Sequence, residues 1–200
     1  MATLKDLTDE IIRGLGRSDS DAVEFARLGV NGGLYAAAIL FEPPELKTSE
    51  TGTAVNAGTA VDLSALTRLL RVDSVYNTTG SQEVFILPHS LLNVLYLPTT
   101  GNVNFYSIYG QSLYYRPLPT GDETLTIYFF SYPTRLYDNG DTFPLGDHMR
   151  DFVLSFANAY AWANLEEVED ADMWLKINDK LGLPAATLTQ VRRLMQKEGL

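Results

Sequence analysis

The side chains able to do chemistry are few in this chain and poorly spaced for it. His89 and His148 are the two histidines, neither has a second histidine close by at ligand spacing, and there is no cysteine. Thiol catalysis, a disulfide scaffold and a Cys-ligated zinc site are removed together, and no imidazole pair is left to hold a metal. Carboxylates are plentiful, but Glu166, Glu167, Glu169, Asp170 and Asp172 lack the alternating Asp-x-Asp-x-Asp-Gly spacing that wraps oxygens round one hard cation. That run reads as a solvated helix face or a docking patch for basic side chains. Asp138 and Asp141 flank Asn139-Gly140, which suits a tight turn better than an acid–base pair. With no Gly-x-Ser-x-Gly elbow, phosphate loop or zinc-helix signature, the expectation is no enzyme, no catalytic or metal residues and no cofactor.

Charge narrows the partners. Fifteen Lys and Arg against 25 Asp and Glu give a net charge of -10, so gripping nucleic acid by phosphate neutralisation is disfavoured. The 11 Tyr and nine Phe are concentrated from Phe85 to Tyr160, without the basic residues that accompany base stacking. They read as a sheet core or a subunit interface. No window reaches the roughly 18 apolar residues of a membrane span, and the expectation is an intracellular site of synthesis and no membrane partner.

The elements that must position these residues follow from periodicity. Thr3-Leu4-Lys5-Asp6 has a capping-box form, and Leu4, Leu7, Ile11, Ile12 and Leu15 make one apolar stripe, predicting a helix over 3–15. A second helix over 20–41 starts from caps in 18–21 and stops at Pro43-Pro44. Gly29, Gly32 and Gly33 within it mark a kink or a close helix crossing. Residues 47–62, rich in Thr, Ser, Gly and Ala, read as an extended loop or edge hairpin of the kind that gains order from a neighbouring chain. Val103 to Leu165 changes period from about 2 to about 3.6 near Pro144. Met149, Phe152, Val153, Phe156, Tyr160 and Ala163 form the stripe of a helix that Asp147 would cap. A basic amphipathic tail from Ala185 follows and needs a surface on which to dock.

In order and content these parts resemble the head-to-tail adaptor, or connector, proteins of tailed bacteriophages. Two N-terminal helices precede a β insert; a strand then ends in Arg116-Pro117-x-Pro119, the strand TLTIYFFSYP follows, and a spacer carries Asp141-Thr142 and Pro144. A helix continues into an acidic, Trp-containing segment. The resemblance covers roughly Leu4 to Leu181.

The fold expected is α+β. A helical bundle of the N-terminal helices and a long C-terminal helix over 147–181 is packed with an antiparallel β-meander or small β-sandwich insert within 47–135, followed by an amphipathic tail helix. Residues 1–184 would be a single adaptor domain and 185–200 a docking tail. The resemblance implies a structural virion protein of the neck, assembled from the host cytoplasm. It would form a dodecameric ring with neighbouring copies, dock on the portal protein, meet a tail, nozzle or stopper protein below, and pass DNA through an acidic lumen without sequence-specific binding. Leu188, Val191, Arg192, Arg193, Leu194, Met195 and Lys197 are the expected portal-docking residues, and Thr51, Thr53, Val55, Thr59 and Val61 the inter-subunit ones. Rival readings are a stopper, a tail terminator, a fibre-binding module or a small carboxylate hydrolase.

Overall fold

Thr3 begins the first helix by satisfying backbone groups that a helix start leaves open. Its hydroxyl accepts from the Asp6 amide at 3.2 Å while the Asp6 carboxylate accepts from the Thr3 amide at 2.8 Å. The next donors are met by a distant loop: Leu4 N–H donates to the Asp141 carbonyl at 2.8 Å and Lys5 N–H to that of Asn139 at 3.2 Å. Helix α1 (Leu4–Leu15) then ends at Gly16, whose φ of 66° is the left-handed cap that glycine adopts without strain. A computed structural model supplies these coordinates and describes residues 2–54, 58–66, 68–80, 83–97, 100–165 and 181–197.

Helix α2 (Ser20–Phe41) is capped by Asp19 and closed before Pro43. Beside it lies α4 (Arg150–Leu165), entered through a 3-10 turn (Asp147–Met149). Asp147 does not cap; the N-cap of that turn is Gly146, with no side-chain hydrogen bond. The glycines of α2 explain the closeness of the two helices. A Cβ on Gly29 would lie 2.8 Å from Ala157 Cα, and one on Gly33 would lie 2.9 Å from the Val153 carbonyl oxygen. The last helix, α5 (Ala185–Lys197), packs into the same core. Tyr35, Phe156, Tyr160, Leu188, Val191 and Met195 are buried together there, at about 1.5–3 kcal/mol for each large side chain removed from water.

Two compact units result, one of residues 1–46 and 132–200 and the other of 47–131. The second holds seven strands: β1 (Lys47–Ala54), β2 (Ala60–Asp62), β3 (Leu69–Asn77), β4 (Val84–Pro88), β5 (Phe105–Tyr109), β6 (Ser112–Arg116) and β7 (Glu123–Ser131), with the short helix α3 (Leu91–Tyr96) between β4 and β5. Their order is β1-β7-β3-β4-β5-β6-β2, and all neighbours are antiparallel except β4 and β5. The two outer strands of that order approach each other: a Cβ on Gly52 of β1 would meet Val61 Cγ1 of β2 at 2.8 Å. The sheet is therefore almost closed into a barrel round a core that includes Val75, Ile86, Leu113, Tyr115, Leu125 and Ile127.

This corrects the expected architecture. The molecule is a mixed α+β protein with a seven-stranded, nearly closed, barrel-like sheet and helices, not a helical bundle with a long C-terminal helix carrying a meander or sandwich. Two physical facts misled the sequence reading. The first and last strands of the unit pair with each other, Lys47 opposite Phe130, a long-range pairing with no local signature. The strands are apolar on both faces because one face fills the barrel and the other carries exposed aromatics, which imitates a sheet covered on both sides. The predicted helix 147–181 is described as α4 up to Leu165; 166–180 lie outside the described residues.

Candidate interaction surfaces

His89 is exposed; its Nδ1 accepts from the Ser90 amide at 3.1 Å, and its ring meets that of Phe105 edge-on at 5.9 Å. His148 is exposed in the turn before α4. Asp141 turns its carboxylate back on its own loop, accepting from the amides of Asp138 at 2.9 Å and Tyr137 at 2.6 Å. Those hydrogen bonds hold its carboxyl below the ordinary value. The buried Glu123 accepts from the Asn77 side chain at 2.5 Å and the Val103 amide at 3.1 Å, a structural role within the barrel. Among the described residues no group of three or more His, Cys, Asp or Glu could hold a metal ion. The acidic run 166–172 lies outside the described residues.

The tail residues divide by side. Leu188, Val191 and Met195 face the chain's own core, Arg192 and Leu194 are half-buried, and Arg193 and Lys197 are exposed. Gln190 also anchors α5 by donating to the Tyr132 hydroxyl at 2.8 Å. The apolar stripe that the sequence offers to a partner is thus occupied within the helical unit, and its basic side faces solvent.

Of the residues expected between subunits, Thr51 and Thr53 are exposed on β1, and Thr59 is exposed with its carbonyl accepting from the Tyr115 amide at 3.3 Å. Val61 is half-buried on β2 at the seam of the barrel, and Val55 lies outside the described residues. The register puts Thr51 beside Thr126, Tyr76 and Phe85 in one row across β1, β7, β3 and β4. In an antiparallel sheet opposed residues share a face, so these four belong to the outer wall. Tyr76 stands edge-on to Phe85 at 5.4 Å and to Tyr128 at 5.6 Å. Lys47 extends the same wall, ion-paired with Asp73 at 2.7 Å and 5.8 Å from the Tyr128 ring centroid.

Two features were missed from sequence. One is exposed apolar surface on the barrel unit: Phe85 is 46% exposed, Leu87 51% and Tyr96 87%. Its signal was the unbroken apolar run Val84-Phe85-Ile86-Leu87, of which only Ile86 is buried. The other is Asn31, 2% exposed in the middle of α2, whose side chain accepts from the Leu136 amide at 2.8 Å and donates to the Leu136 carbonyl at 3.2 Å. A lone Asn within the Gly- and Ala-rich part of α2 was the available signal.

Comparison with known proteins adds one finding. A family model described as SU10 adaptor protein matches residues 2–194. No match was found among curated proteins.

Proposed function

The chain belongs to the SU10 adaptor protein family, and from that premise we propose that it is a structural component of a phage neck, a ring-forming head-to-tail adaptor that docks on the portal and continues the DNA channel toward the tail. The observation that carries this reading is the extent of the family match, which takes in both compact units. The chemistry agrees with it. A net charge of -10 suits a channel that lets DNA pass without holding it. Of the carboxylates described above, Asp6 and Asp19 cap helices, Asp141 closes a turn and Asp73 pairs with Lys47. Among the described residues no helix is long and apolar enough to cross a membrane.

Within this reading α5 is the portal-facing element. Leu188, Val191 and Met195 fix it to the helical unit, and exposed Arg193 and Lys197 offer charge to an acidic surface of the portal. The test is co-sedimentation of the full chain with portal rings, followed by electron microscopy. Wild type should add a ring of density to the portal, whereas Arg193→Glu with Lys197→Glu should fold normally and bind at least about tenfold more weakly, roughly 1.4 kcal/mol. Undiminished binding by that variant overturns the role given to α5; absence of any wild-type ring on portal overturns the function.

A further inference from the structure

The helical unit holds both Asn-Gly pairs of the chain, Asn31-Gly32 and Asn139-Gly140. Asparagine is a thermolabile side chain, and before glycine it is least protected, because glycine has no Cβ to keep its backbone nitrogen away from the asparagine Cγ. When the two atoms meet, the side-chain amide can be lost through a cyclic imide. The surroundings of each pair decide whether they meet.

Asn31-Gly32 is locked. It lies within α2, Asn31 is 2% exposed, and its carboxamide is bound to the Arg27 carbonyl and to both backbone groups of Leu136. A helical Gly32 nitrogen points along the helix axis at the carbonyl four residues back, and it can turn toward Cγ only if the helix opens.

Asn139-Gly140 is open. Both residues are exposed, at the centre of a turn that the Asp141 amide closes on the Asp138 carbonyl at 2.9 Å. Among the described residues nothing accepts from the Asn139 Nδ2 or from the Gly140 amide, and a Cβ on Gly140 would meet nothing within 4 Å. Bringing the Gly140 nitrogen to Cγ therefore disturbs a surface turn, whereas the same movement at Gly32 disrupts a packed helix. The site also suits the charge that the reaction leaves. Arg27 Nη2 donates to the Asn139 Oδ1, and the start of α1 is adjacent, with Lys5 N–H on the Asn139 carbonyl at 3.2 Å. A guanidinium and a helix N-terminus both favour a carboxylate there, which offsets the neighbouring Asp138 and Asp141.

We propose that Asn139 is a site of spontaneous deamidation in the folded protein, a one-way chemical change that the same dipeptide at Asn31 escapes. The Gly140 nitrogen gives its proton to solvent base and attacks Asn139 Cγ. The N–Cγ bond forms, the Cγ–Nδ2 bond breaks, and Nδ2 leaves as ammonia with a proton from water. A second water opens the imide. Its addition at Cγ gives aspartate, which keeps the carbonyl used by Lys5 and sets a carboxylate beside Arg27. Its addition at the backbone carbonyl carbon gives isoaspartate. That product turns the same carbonyl into a free carboxylate and lengthens the main chain by one carbon, which shifts the Asp141 carbonyl from the Leu4 N–H it holds at 2.8 Å.

The test follows the full chain in warm, mildly alkaline buffer, folded and in parallel in urea. Samples are digested at low pH for mass spectrometry, which separates amide from acid and, on fragmentation, aspartate from isoaspartate. In the folded protein Asn139 should convert at least about tenfold faster than Asn31, which reacts only when α2 opens; in urea the two should convert at similar rates. Gly140→Ala, for which the turn has room, should slow Asn139 several-fold with an unchanged circular dichroism spectrum. In the isoaspartate fraction the Leu4 and Lys5 amides should exchange hydrogen faster. Conversion of Asn139 in urea but not in the folded protein would overturn the proposal, as would equal rates at Asn31 and Asn139 in the folded chain. A rate that Gly140→Ala leaves unchanged would overturn the imide route.

Discussion

Replacing Asn31 with alanine is expected to destabilise the helical unit by about 2–6 kcal/mol, because two buried backbone groups of Leu136 lose their partner and each unsatisfied group costs about 1–3 kcal/mol. The carboxamide behaves like a peptide group of an adjoining strand, accepting from the Leu136 amide at 2.8 Å and donating to its carbonyl at 3.2 Å. Its third bond, to the Arg27 carbonyl at 3.0 Å, counts for little, since that carbonyl sits one turn back in the helix and keeps its backbone donor. Domains of this size have about 5–15 kcal/mol in hand, so the loss should be plain in urea denaturation followed by circular dichroism, with the midpoint falling. The Leu136 amide should also exchange its hydrogen faster. Asn158→Ala is the matched control, because Asn158 donates to the Leu154 carbonyl of its own helix at 3.0 Å; it should cost less than about 1 kcal/mol. Equal losses from the two variants would refute the claim that Asn31 ties the 132–143 segment to α2.

Other outcomes follow from the same contacts. Gly29→Ala and Gly33→Ala should destabilise, because the new Cβ meets backbone of α4 that cannot yield and overpacking of about 1–3 kcal/mol outweighs the roughly 1 kcal/mol of helix propensity gained. Gly14→Ala, with its nearest neighbour at 3.5 Å, should instead raise the melting temperature. Gly32→Ala meets Phe156 at 2.8 Å and the Met195 sulfur at 2.9 Å, so it should loosen α5, read as faster proteolysis of the last helix. Stability should also fall in acid. Asp6 is held low by the Thr3 amide and hydroxyl, Asp19 by Arg17 and the Ala22 amide, Asp73 by Lys47, and Asp141 by the Asp138 and Tyr137 amides. Carboxyls lowered on folding bind fewer protons than in the unfolded chain, so their contribution is present above the ordinary value of 3.8 and is lost as pH drops through the folded values. A melting temperature that is flat from neutral pH to pH 3 would contradict this.

Local signals carried the helical unit. Thr3 with Asp6, Asp19, Gly16 and Pro43-Pro44 each act within a few residues, and a capping box or a helix stop has the same meaning in any fold. The glycines of α2 were legible as a kink or a close crossing, and the position of α4 against Gly29 and Gly33 decides for the crossing. The barrel was not legible. Pairing of Lys47 with Phe130 and contact of Gly52 with Val61 join segments with no shared pattern, and alternation along a strand cannot say whether its second face is covered or bare. The exposed surfaces were half legible: Thr51 and Thr53 lie on the outer wall of β1, and the aromatics from Phe85 onward read as a sheet core or a subunit interface with no pattern in the sequence to separate the two. The tail's apolar period was read correctly as needing a dock, and periodicity alone could not say that the dock is Tyr35, Phe156 and Tyr160 of the same chain.

The pairing of β1 with β7 also determines how the barrel would answer to force. The chain enters the unit at Lys47 and leaves it after Ser131, at the same end of one antiparallel ladder. A pull delivered through those two connections therefore opens the ladder rung by rung, starting at Lys47 and Phe130, instead of loading all its hydrogen bonds in parallel. The barrel unit is a zipper with its slider at Lys47 and Phe130, mechanically soft to that one direction of pull.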